Sequence, residues 1–215
     1  MRSARLMQAA LADHVSIRPL KESPKSIAGV DACFSKRTVV AVASFFTYPG
    51  LEHLGDAVSQ DKIRFPYVPG FLSFREGPAI ITALKKLRMR PDVVLFDGQG
   101  VAHPHGLGIA SHIGVILDIP TVGCAKSRLV GKYEEPGPHK GDWTPLYYQE
   151  RTVGAVLRTR ERVRPLFISP GHRVDLKTSL DIVMNAVSSF RLPEPIRRAD
   201  HISRMTVQKE TENER

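Results

Sequence analysis

The chain has 215 residues, 42% of them hydrophobic, a size and content that suit one buried core. Its 31 basic against 22 acidic side chains leave a formal charge of +9, which favours polyanionic partners through steering and counterion release, although charge alone fits an ordinary solvated Lys/Arg surface as well. Cys33 and Cys124 lack Cys-x-x-Cys spacing, no stretch approaches a membrane span and no signal-peptide core forms near Asp13. The expectation is therefore a cytoplasmic protein with free thiols and no membrane partner.

In chain order, residues 4–15 carry an apolar stripe suited to a short amphipathic helix, and Pro19 and Pro24 mark a loop. Three extended segments follow, Ile27 to Phe34, Thr38 to Phe46 and about Leu51 to Lys62, with connections short enough for antiparallel hairpins. The run Phe65-Pro66-Tyr67-Val68-Pro69-Gly70 is too proline-rich for a central strand and reads as a stiff loop. A helix is predicted from Arg75, with Pro78 in its first turn and Ile80, Ile81, Leu84 and Leu87 at helical spacing. Val93 to Phe96 is a continuous apolar strand of the doubly buried, parallel kind.

A second helix is predicted over about Leu107 to Leu117, then a strand from Thr121 to Ala125, a surface loop over 131–145, and strands at Val153 to Thr159 and Val163 to Ser169. An amphipathic helix spans Ser179 to Phe190. One domain is expected over residues 1–202, with 203–215 as a disordered charged tail. Three antiparallel strands, a helix and then parallel strands alternating with helices make an α/β mixed sheet of ribonuclease H-like layout.

Asp31 follows the apolar run Ile27 to Val30, Asp97 follows Val93 to Phe96, and Glu76 opens the helix between them. Each acid has an ordinary reading alone, as a turn residue or a helix-dipole partner. Together they place carboxylates at one rim of the sheet, where mutual repulsion makes a Mg²⁺-type oxygen site the economical solution. Such an ion activates water and neutralises charge in phosphodiester hydrolysis, with Asp31 and Asp97 as direct ligands and Glu76 as ligand or water-positioner.

Around these acids the roles divide. Lys126 follows the strand ending at Ala125 and is either a phosphate contact or a surface lysine. His103 is a metal-proximal, phosphate-contacting or proton-donating candidate within a His-rich turn, and His172 is a general base if its strand ends at the same rim, otherwise a cap. Gly98 and Gly100 allow close backbone approach. Tyr67, between Pro66 and Pro69, is either a buried staple or an outward ring able to enter a base stack. Arg158, Arg160, Arg162 and Arg164 read as a basic hairpin tip in preference to a phosphate track.

These motifs resemble the endonuclease V (deoxyinosine 3′ endonuclease) family: Ile27 to Asp31, Pro66 to Glu76, Asp97-Gly98-Gln99-Gly100-Val101-Ala102-His103-Pro104, Gly123 to Leu129, Pro170 to Arg173 and Arg191 to Pro195, in family order over about residues 27–198. The resemblance implies a Mg²⁺-dependent enzyme of ribonuclease H-like fold that recognises hypoxanthine and cuts the second phosphodiester on its 3′ side; Mn²⁺ as a substitute, inosine-containing DNA as the partner and a monomer are the accompanying expectations. It implies Asp31, Glu76, Asp97 and His172 around the metal and water, His103 and Lys126 at phosphates, the Pro66-Tyr67-Val68-Pro69 wedge, and Gly70, Leu72, Gly98 and Gly100 lining the base pocket. Val68 stands where isoleucine is common and Gln99 where bacterial relatives often have histidine. An inosine-specific ribonuclease, a lesion-blind resolvase-type nuclease and a non-catalytic binding module are the rival readings.

Overall fold

The computed structural model describes residues 2–213. Thirteen elements follow in order: α1 (Arg2–Ala12), β1 (Ser26–Phe34), β2 (Thr38–Thr47), β3 (His53–Lys62), α2 (Leu72–Lys85), β4 (Val93–Phe96), α3 (Ile109–Leu117), β5 (Thr121–Ala125), β6 (Trp143–Tyr148), β7 (Arg151–Leu157), β8 (Leu166–His172), α4 (Leu176–Asn185) and α5 (Glu194–Asn213). The strands form one eight-stranded mixed sheet in the order β3-β2-β1-β4-β5-β8-β7-β6. β1, β4 and β5 run parallel and the other pairings are antiparallel.

The central strands are apolar throughout because both of their faces are covered. Side chains alternate between faces, so Ile27, Val93 and Leu95 pack with Val183 of α4 and Ile196 of α5, whereas Ala28, Val30, Val94 and Phe96 pack with Ile80 of α2 and Ile113 of α3. Gly29 is required in the middle of β1. A Cβ there would overlap the Pro195 carbonyl carbon and the Ile196 nitrogen, so the missing side chain lets α5 lie directly on the strand.

Several predicted elements shift. α2 starts at Leu72, ahead of the expected Arg75, because Pro69 and Gly70 form a tight turn closed by the Phe71 N–H on the Val68 carbonyl; Pro78 consequently lies inside the helix and not in its first turn. Part of the predicted 131–145 loop is β6, an edge strand that tolerates Pro145. β8 runs to His172, beyond the predicted end at Ser169, with Pro170 and Gly171 inside it and a register shift opposite Thr121/Val122. Residues 203–213, expected to be a disordered tail, are helical turns of α5, held by Ser203, which is fully buried, and by Ile202 and Val207 packing near Val40 and Val42. Residues 214–215 of that expected tail lie outside the described residues.

Cys124 is buried and Cys33 half-buried, and both are free thiols. Among the described residues no helix is long and apolar enough to cross a membrane.

Candidate metal centre and the adjoining pocket

β4 ends at Phe96 while its neighbour β1 continues to Phe34, so Asp97 leaves the sheet beside Asp31, with its N–H on the Val30 carbonyl. α5 brings a third acid. Carboxylate oxygens of Asp31, Asp97 and Asp200 all lie within 4.8 Å of one another. Ser203, one helical turn after Asp200, donates to Asp31 Oδ2 at 2.7 Å and fixes its rotamer. Glu76 projects from α2 into a small cavity of about 100 Å³ that Asp31 and Asp97 also line.

The electrostatics show a rim short of positive charge. Burial, with Asp97 and Asp200 adding to it, pushes the Asp31 carboxyl up to about 6 against the lowering effects of Ser203 and Lys126. Burial followed by the charges of Asp31 and Asp97 pushes Glu76 up to about 8. Lys126 sits 2.5 Å from Asp97 and 3.1 Å from Asp200. Its own burial works against its charge, but the hydrogen bonds and charges of those two aspartates prevail and raise its pKa. Besides Lys126, only Arg204, 2.9 Å from Asp200, is ion-paired with these carboxyl groups among the described residues, and the donor set is entirely oxygen. Those are the conditions that suit a hard divalent cation of the Mg²⁺ or Mn²⁺ type.

A larger cavity of about 430 Å³ opens beside the acids, and Asp97 and Lys126 belong to its wall. Its other walls are the turn Tyr67 to Gly70, Leu72 and Ser73 of α2, Gly98, Gln99 and His103 after β4, and Ala125 to Leu129 after β5. Tyr67 is 70% exposed, so the outward reading of that ring holds and the buried-staple reading does not. The base of its loop is stiffened by Phe65, which stacks on Phe71 and Phe74 with centroids 6.3 and 5.5 Å apart. Gln99 donates to the Ser127 carbonyl at 2.9 Å, while its buried Oε1 has no protein partner.

The family model for endonuclease V matches residues 9–201. The chain belongs to the endonuclease V family. An endonuclease V of Roseiflexus sp. (strain RS-1) is 50% identical over 83% of this chain and 81% of its own length. The endonuclease V structure from Streptomyces avermitilis superposes with a TM-score of 0.93 at 37% identity, covering 98% of this chain and 94% of that one. The endonuclease V of Ciona intestinalis, solved with a 24mer DNA containing an inosine followed by a ribo-adenosine, superposes with a TM-score of 0.83 at 26% identity, covering 97% of this chain and 98% of that one. This is accordingly an endonuclease of mixed α/β fold.

Within this endonuclease V chain the predicted residues separate. Asp31, Glu76, Asp97 and Lys126 converge as expected. Gly70, Leu72 and Gly98 line the cavity with Tyr67, Val68 and Pro69, whereas Pro66 stands on the exposed side of the loop. His172 does not join them. β8 is antiparallel to β5 with His172 opposite Thr121, the first residue of β5, so the histidine sits at the opposite edge of the sheet from the acids. There it is 4% exposed, accepts the Ser16 N–H at 3.2 Å and faces Asp118 at 3.3 Å, and burial lowers its pKa. It is a structural link and no general base.

His103 is buried, with its pKa lowered to about 4 chiefly by that burial, and its ring lies against Gly70, with Nε2 3.6 Å from where a Cβ on that glycine would stand. It shapes the pocket from behind and is no exposed phosphate contact. Gly100 lies outside the cavity wall, and a Cβ on it would collide with the Pro170 carbonyl oxygen, so it is a packing glycine between the β4–α3 connection and β8. Arg158 is buried, donating to the Gly137, Val163 and Pro136 carbonyls and to Glu135, which removes it from any basic stripe. The residue missed from sequence is Asp200. Its signal was available: Glu194-Pro195 is a helix start, and Asp200 and Ser203 fall on one face of that helix.

Proposed function

We propose that this chain is a Mg²⁺-dependent endonuclease, with Mn²⁺ as a substitute, that recognises deoxyinosine in DNA and hydrolyses the second phosphodiester bond 3′ to it. The observation that carries this reading is the shared wall. Asp97 and Lys126 border both the acid cluster and a cavity of about 430 Å³, so one molecule offers a pocket for an extruded base and a metal-type centre for a nearby phosphate. The Ciona intestinalis complexes with inosine-containing DNA support the same substrate class.

Asp31, Asp97 and Asp200, with Glu76 behind them, would hold the ion, whose chemistry when bound is to lower the pKa of water and to neutralise charge on the phosphate. Tyr67 enters the base stack and takes the place of the nucleotide that leaves it. The apolar and backbone walls of the pocket exclude water from the extruded base, and the unpartnered Gln99 Oε1 in the wall is an acceptor for a donor on its edge. Lys126 is a point charge at the boundary of the two sites and holds the backbone phosphate that passes between them. Two free thiols suit a reducing compartment, and we place the enzyme in the cytoplasm as a monomer.

The test is cleavage mapping on end-labelled duplexes with and without one deoxyinosine, in Mg²⁺, in Mn²⁺ and in chelator, with an inosine RNA in parallel. We expect one cut at the second phosphodiester 3′ to deoxyinosine, dependent on the divalent ion. Equal cutting of matched DNA removes the lesion claim. Preference for the RNA transfers the activity to an inosine-specific ribonuclease.

A further inference from the structure

The helix α1 buries the wrong kind of residue. Leu6 and Met7 are 65% and 54% exposed, while the neighbouring Gln8 is 1% exposed. Glutamine rarely goes so deep without a dedicated partner. That partner is in the pocket loop: Gln8 Nε2 donates to the carbonyl oxygen of Gly70 at 2.9 Å.

Gly70 is the pivot of that loop. Its φ of +80° is in the left-handed region, and with Pro69 before it and the Phe71 N–H bonded to the Val68 carbonyl at 3.0 Å it occupies the third position of a type II turn. The turn connects Tyr67, exposed at the loop's tip, to Leu72, the first residue of α2, and so sets both the direction of the ring and one wall of the cavity. The His103 ring packs against the same residue, with Nε2 3.6 Å from where a Cβ on Gly70 would stand. Its Nδ1 accepts the His105 N–H at 3.2 Å, which fixes the ring in that place.

The segment that follows α1 is fixed at the far edge of the sheet. The Ser16 N–H donates to His172 Nδ1 at 3.2 Å, and the Ser16 carbonyl accepts from the Arg173 N–H at 2.6 Å. Gln8 therefore reaches the loop from a base tied to β8.

We propose that Gln8 is a positioning residue for the lesion pocket. By holding the Gly70 carbonyl it keeps the Pro69-Gly70 turn in its bound shape before substrate arrives, so that ordering the Tyr67 loop is not charged against binding. The inference rests on the proposed substrate. It predicts an effect on substrate capture and none on the acids, since Gln8 touches neither the carboxylates nor Lys126.

The test uses the full chain and the nearly isosteric Gln8→Met, which keeps the buried volume and removes the donor, with Gln8→Glu as a second variant that sets an acceptor against the carbonyl. Hydrogen exchange on the substrate-free protein comes first. The wild type should protect the Phe71 amide, and both variants should accelerate its exchange about tenfold while leaving the β4 amides unchanged. For an inosine-containing duplex KM should rise about tenfold in Gln8→Met, with kcat within about twofold and calorimetric Mn²⁺ binding unaltered.

An unprotected Phe71 amide in the wild type overturns the inference, as does unchanged exchange and KM in both variants. A fall in kcat or in Mn²⁺ affinity with KM unchanged also overturns it, because that pattern belongs to general loosening of the fold. If the wild type fails to prefer inosine over matched DNA, the proposed substrate fails, and the exchange measurement still decides the role of Gln8.

Discussion

Where β4 ends beside the still-continuing β1, Asp31, Asp97 and Asp200 crowd within 4.8 Å of one another, with Lys126 on Asp97 and Asp200 and Arg204 on Asp200, and Glu76 is buried behind them. At the end of β8, on the other edge of the same sheet, Asp118 is matched by Arg173 at 2.6 Å and His172 at 3.3 Å, and the remaining ring nitrogen of His172 is taken by a backbone N–H. Both rims contain acids and bases at loop–strand junctions. One leaves its negative charge only partly compensated and the other satisfies its groups locally, and under the proposed function that difference separates a centre that would recruit an ion from a joint that holds the fold. Residue type alone does not distinguish them; the balance of charge does.

The comparison breaks most visibly through activity. Asp97→Asn keeps the shape of the acid rim and removes a carboxylate shared by both cavities, so cleavage of an inosine duplex should fall by about three orders of magnitude while binding of the same duplex, read by fluorescence anisotropy, is retained. Cleavage within tenfold of wild type would place the chemistry elsewhere.

At the far rim the expected loss is of stability. His172→Ala leaves the Ser16 N–H without its acceptor and should cost about 2 kcal/mol, a shift of the melting midpoint by several degrees, with kcat at saturating substrate unchanged. If kcat collapses while the midpoint holds, His172 is catalytic after all and the contrast between the rims fails.

The smallest effect concerns pH. Asp31 and Glu76 have pKa values raised to about 6 and about 8 from ordinary values of 3.8 and 4.5, so in chelator their uncharged forms favour the folded state. That contribution is complete below about pH 4 and is lost as pH rises through the two raised values. Thermal melts of the chelated protein should therefore show a decline between pH 6 and pH 8 that Glu76→Gln flattens and added Mg²⁺ offsets. Parallel curves for wild type and Glu76→Gln would remove Glu76 from the charged rim.

Much of this organisation is written in the local sequence. The apolar runs of β1, β2, β4 and β5 announce a sheet buried on both faces, and the acids that follow two of them mark the working rim. What local pattern lacks is strand direction. His172 follows an apolar strand just as Asp97 does, but β8 is antiparallel to its neighbour, a fact carried by pairing and by no residue near the histidine. α5 is hidden for a different reason: its apolar residues are few and diluted by charge, and its docking depends on Gly29, which offers no side chain to read. With α5 went Asp200, and the acid cluster looked smaller from sequence than it is.

Asp200 and Ser203 both ride on α5, whereas the pocket walls are complete by residue 129. The wall of the cavity therefore takes nothing from α5, while the cluster of three aspartates takes one of its members, and the hydroxyl that fixes another, from that helix. Under the proposed function, a side chain at Gly29 that lifted α5 off the sheet would take the acid cluster apart and leave the base pocket standing.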